Sequence, residues 1–182
     1  MKRTFSWISL VAGMALGAAL MLAGLAQAGR LAPAPKPEVL VTLAQTLEAE
    51  HKRVDLLLKQ KDFAGAISAL EKMRTMQWPD REDAGDTAVA LRHDVYGRLL
   101  RLRLDHPDVD PKTPEALSAV AGEGLGADYK AITTNAFTAR LVGLKGEISE
   151  KQGKDDAALT SYEEALDMNR ALLQQALAGA AP

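Results

Sequence analysis

The chain has 182 residues, 47% of them hydrophobic and 25% charged, with a formal net charge of −2 and no cysteine. That size fits one globular domain, the charge supplies no basic field for nucleic acid, and the missing cysteine excludes disulfides, thiolate catalysis, thiolate metal sites and lipidation on Cys. Aromatic residues make up 4%, so a core of Ala and aliphatic side chains predicts an all-α protein rather than packed sheets.

The first thirty residues, "MKRTFSWISLVAGMALGAALMLAGLAQAGR", read as an address. Lys2 and Arg3 precede an uncharged apolar run from Ile8 to Leu25, and Ala26-Gln27-Ala28 forms a small-x-small cleavage box before Gly29. This predicts a signal peptide over residues 1–28 and a periplasmic body. The run approaches the ~20 residues that span a bilayer, so an uncleaved inner-membrane anchor, with the body still outside the cytoplasm, is the alternative. Loss of the segment takes two positive charges from the total of −2 and leaves −4. Pro33, Pro35 and Pro37 then predict a semi-rigid extended spacer over 29–38, ahead of a helical domain over 39–178.

Leu40, Leu43, Leu47, Val54, Leu57 and Leu58 recur at helical spacing and predict a long amphipathic helix, with His51 near its apolar seam as a packing residue. "KQKD" interrupts the stripe, which resumes at Phe63, Ala66, Ile67, Leu70 and Met73. So short a connection makes the two helices antiparallel. Trp78-Pro79 punctuates the chain after that helix, and Asp86-Thr87 are candidate caps for a third, marked by Leu91, Val95, Leu99 and Leu102. Thr113-Pro114-Glu115 opens a short fourth helix that stops at "AGEGLGA". In a last hairpin Ile132, Phe137, Leu141, Leu144 and Ile148 mark one helix, "KQGKD" turns the chain with Gly153 able to take positive φ, and Leu159, Tyr162, Leu166, Leu173 and Leu177 mark the face of the other.

The two outer hairpins share a pattern. With Ala66 set over Ala158, Lys59-Gln60 falls over Lys151-Gln152, Ile67 over Leu159, Leu70 over Tyr162 and Glu71 over Glu163, an offset of 92 residues. Small residues at the alanines let paired helices approach closely. With Gly146, Gly153, Ala158, Tyr162 and Ala165 in the last hairpin and Phe63 and Ala66 in the first, the chain resembles the tetratricopeptide repeat (TPR), a helix-turn-helix unit of about 34 residues that stacks into solenoids. Val142, Ser149, Arg170, Val54 and Met73 depart from the repeat's preferences, and the segment between the hairpins is a degenerate middle repeat at most. The expectation is therefore antiparallel helical hairpins in a TPR-like short solenoid or a closed helical bundle.

No catalytic or cofactor motif stands out. "GEGLGA" at 122–127 meets the dinucleotide glycine pattern but follows a helix rather than a strand. "DHPDVDP" offers Asp105, Asp108 and Asp110 without the calcium-loop spacing, and His51, His93 and His106 form no close helical pair. Met73, Met76 and Trp78 are expected in apolar packing. Arg98, Arg101 and Arg103 form the most suggestive surface: a site for an acidic partner, or a solvated face paired with Asp94 and Asp105.

These residues predict a non-enzymatic adaptor or scaffold of the cell envelope, without cofactor or metal, binding another envelope protein or a peptide segment. The membrane is met only through the N-terminal segment if that segment stays. Glu50, Arg53, Leu57, Val142, Lys145 and Ser149 are the resemblance's candidates for the partner-binding face, beside the three arginines. The alternative is a small periplasmic bundle that senses or carries a metal or other ligand, which requires His51, His93 and a methionine to converge.

Overall fold

The computed structural model describes residues 36–127 and 129–179. The expected signal peptide or anchor, the expected cleavage after Ala28 and most of the expected spacer lie outside the described residues. Six helices follow one another: α1 Pro37–Lys59, α2 Phe63–Arg74, α3 Arg81–Asp105, α4 Pro114–Leu125, α5 Ala136–Lys151 and α6 Asp155–Gly179. A 3₁₀ turn, Tyr129–Ala131, precedes α5, and there is no strand among the described residues. None of the described helices is long and apolar enough to cross a membrane.

The helix boundaries follow from local chemistry. Pro37 stands in the first turn of α1, where its missing N–H costs nothing, so the helix reaches into the expected spacer. The Lys36 amide donates to the Asp83 carbonyl at 2.8 Å, and its ammonium pairs with the Asp83 carboxylate, which ties the entry of α1 to α3. Thr113 caps α4 by accepting from the Ala116 amide, with Pro114 next, as the sequence predicts. Gly126, at φ 70°, ends it, which makes "GEGLGA" a helix terminus. Ile132 is buried but lies before α5, because Asn135 caps that helix by accepting from the Phe137 and Thr138 amides.

The start of α3 differs from expectation. Gly85 breaks its first turn at φ 63°, and the Asp86 carboxylate does not cap the turn that follows. It reaches across to the amide and hydroxyl of Thr133, at 2.8 and 2.9 Å, and to Arg81. Burial opposes ionisation of Asp86, but these donors outweigh it and hold the carboxyl below its ordinary range.

The shared pattern of the outer hairpins is a shared turn. Asp62 N–H donates to the Leu57 carbonyl and Lys61 N–H to that of Leu58; Lys154 to Ser149 and Gly153 to Glu150 repeat both bonds 92 positions on. The i→i−5 bond needs a left-handed residue after the helix. Gly153 supplies it at φ 69°, whereas Lys61 adopts φ 61° despite its side chain.

Packing proceeds in chain order. α1 lies against α2 and α3, α2 against α3, α3 against α4 and α5, α4 against α5, and α5 against α6. The middle pair α3–α4 thus stands between the outer hairpins, and six helices packed in this order fit the expected all-α hairpin solenoid or helical bundle. The helix α3 serves two cores. Val95, Leu99 and Leu102 join Leu43, Leu47, Val54, Ile67 and Leu70 in the first, while Tyr96 and Leu100 join Leu117, Leu125, Leu141, Val142 and Ile148 in the second. Apolar residues on two sides of α3, with its charged residues between them, let one helix close both cores.

Candidate interaction face

The contacts α1–α3 and α3–α5 place the first helices of successive hairpins side by side. Across them runs a ladder of charges. Arg98 on α3 pairs with Asp55 on α1 and donates to His51 Nδ1 at 2.7 Å. A guanidinium only donates, so Nδ1 is the unprotonated nitrogen and the imidazole proton sits on Nε2, which faces the Asp94 carboxylate at 3.4 Å. Asp94 in turn pairs with Arg140 on α5. One turn further along α3, Arg101 holds Glu147 of α5 at 2.7 Å and Asp105 at 2.7 Å. Burial, and then the Arg98 charge, push His51 below its ordinary pKa, so the ring stays neutral inside the ladder.

Local sequence explains why these groups meet. His51 and Asp55 are four apart on α1; Asp94, Arg98, Arg101 and Asp105 step by four, three and four along α3; Arg140 and Glu147 are seven apart on α5. Each set shares one face of its helix. Gly97 keeps the crossing open, since a Cβ there would lie 3.1 Å from Arg140 Nε.

The structure divides the candidates. Arg98 and Arg101 belong to the ladder, and both are already paired with acids of this chain rather than free for an acidic partner. Arg103 is buried and points to the other side, holding Glu71 of α2 at 2.6 Å and Asp110 at 2.8 Å, so the three arginines are not one patch. Val142 is buried in the second core and cannot line an accessible face. Ser149 is buried too, its hydroxyl returned to the Lys145 carbonyl at 3.0 Å. Leu57 leans on the first core, and Glu50 and Arg53 pair with each other at 3.5 Å, off the ladder. Lys145 is half-buried. The ladder residues Asp55, Arg140 and Glu147 went unrecognised in the sequence, although their spacing to one another was readable.

The histidines do not converge. His93, fully buried, meets the Thr138 hydroxyl at 2.8 Å through Nδ1, and burial pushes its pKa down to about 4. His106 stacks on Phe63 with ring centroids 3.7 Å apart. Among the described residues no group of three or more His, Cys, Asp or Glu side chains is placed to hold a metal ion. Two of the three Asp residues of "DHPDVDP" are spent on ion pairs, Asp105 with Arg101 and Asp110 with Arg103 and Lys112. No family model, curated protein or solved structure matches the chain.

Proposed function

We propose that this chain is a non-enzymatic, TPR-like interaction module, an adaptor or scaffold working in the periplasm, that binds a segment of another envelope protein. The single observation carrying this reading is the side-by-side arrangement of α1, α3 and α5, which makes one continuous face from three first helices. Arg98, Arg101, Arg140, Asp55, Asp105 and Glu147 are the groups that face offers. Its three arginines are each paired with an acid, four acids in all counting Asp94, so it suits a peptide segment carrying both signs, which exchanges ion pairs with the ladder rather than neutralising a bare patch. Exposed pairs of this kind contribute only ~0–1 kcal/mol each to folding, which leaves them free to be exchanged.

The test is co-purification from gently solubilised envelopes, comparing the wild type with Arg101→Ala and Arg140→Ala. A stoichiometric partner retained by the wild type and lost from both variants, with helix content and melting temperature unchanged, is the expected result. Equal retention by wild type and variants would overturn the assignment of the face. Recovery of the chain alone from every preparation would overturn the adaptor reading.

A further inference from the structure

The last helix has one face with no cover. Leu159, Leu166, Leu173 and Leu177 are exposed, Leu173 and Leu177 by more than three-fifths, while the residues α6 buries against its neighbours are the small Ala158, Ser161 and Ala165, and Tyr162 at the edge lays its ring against Gly146 of α5 and donates to Glu150. The sequence led us to expect the large apolar side chains inside. The equivalent positions of the first hairpin show what such a face accepts: Ile67 and Leu70 are buried in the core that α2 forms with α3. A helix is the shape that fits.

We propose that α6 is the interface of a homodimer, in which two copies of the helix lie antiparallel about a two-fold axis passing near Leu166. Leu159, Leu166 and Leu173 are seven residues apart, the repeat of one position of a seam between paired helices, with Tyr162 and Asn169 along its edge. Under that two-fold Leu166 meets its own copy and Leu159 faces the Leu173 of the partner. The charges beside the seam agree: Glu163, which has no ion-pair partner among the described residues, comes opposite the Arg170 of the partner. Arg170 itself holds only an exposed pair with Asp167. Head-to-tail stacking of α6 on the α1 of another copy fits worse, because the outer side of α1 sets the Glu48–Lys52 ion pair between its exposed apolar residues Val41 and Leu56. Under the two-fold the paired seam runs from Leu159 to Leu173, ~21 Å at 1.5 Å per residue, with Leu177 beyond it at the level of the partner's Asp155. The face is distinct from the ladder.

The test uses the full chain in mild detergent and exploits its lack of cysteine. Light scattering should give a protein mass of two copies, reduced to one by Leu166→Arg with helix content kept. Leu166→Cys should cross-link to itself on mild oxidation. Leu159→Cys mixed with Leu173→Cys should cross-link while either alone does not. Glu163→Arg and Arg170→Glu should each raise the dissociation constant at least threefold, and the double exchange should restore it. A single-copy mass at all concentrations, whether because α6 is covered by another segment of this chain or by another protein, would overturn the proposal. So would a dimer in which Leu159→Cys and Leu173→Cys each link to themselves, the mark of a parallel pair, or one that Leu166→Arg leaves intact.

Discussion

The first and last hairpins use the same turn and the same small residues to bring two helices together, yet they end in opposite environments. Ile67 and Leu70 are 5% and 1% exposed, whereas Leu159 and Tyr162, at the matching positions, are 59% and 37% exposed. Nothing in the four side chains accounts for this. The first hairpin is followed by α3, which lies against both of its helices, and α6 is followed by no helix among the described residues. The identity of a residue sets what it would gain by burial; its place in the stack decides whether it does.

Arg103 bolts the first hairpin further by holding Glu71 from inside. Arg103→Ala removes a buried guanidinium from two partly buried carboxylates, Glu71 and Asp110, that keep Arg74 and Lys112 as partners, and should cost about 1.5–3 kcal/mol, read by chemical denaturation, without altering partner capture. Leu70→Ala should cost roughly 2–5 kcal/mol through the cavity it leaves, while Leu159→Ala should change the unfolding of a single copy by less than about 0.5 kcal/mol. Comparable losses from the two would show that α6 is covered within the monomer.

Acid should separate the hairpins. His93 joins α3 to Thr138 of α5, and its folded pKa of about 4 lies below the ordinary 6.5. The unfolded chain therefore binds this proton first, and stability falls as pH drops from about 6.5 toward 4, by roughly 3 kcal/mol for the full shift. Hydrogen exchange at pH 5 should rise in α5 before it rises in α1 and α2, and His93→Gln should flatten the pH dependence.

The turns provide the finest test. In the first, Lys61 bears the left-handed strain, but Asp62 caps α2 by accepting from the Gly65 amide at 2.8 Å. In the last, Gly153 takes the strain freely and Lys154 stands where Asp62 would be. Each turn has one favourable choice of two. Lys61→Gly and Lys154→Asp should therefore each raise stability, by about 0.5–1 kcal/mol, measured as a shift in denaturation midpoint.

Much of the fold was legible because its signals are local. Thr113-Pro114, Gly126 and Gly153 each fix a boundary through the conformation of one or two residues. The break at Gly85 was not, since Asp86 is a good cap and only the distant Thr133 diverts it. For α6 the periodicity identified an apolar face correctly and said nothing of what lies against it. Repeat resemblance pointed to Glu50, Arg53, Val142 and Ser149, one or two positions from the ladder residues His51, Asp55, Arg140 and Glu147. Adjacent positions on a helix point about 100° apart, so a shift of one or two residues exchanges a surface group for a core one, as Val142 illustrates.

Because α3 belongs to both cores, it also orders events at the ribosome. Every residue of the first core but its fringe has been made once Leu102 emerges, so that half can close while the rest of the chain is still being synthesised. Tyr96 and Leu100, on the opposite side of the same helix, then wait in water until Leu141–Ile148 have followed. The nascent protein thus carries an unfinished apolar flank for some forty residues of elongation.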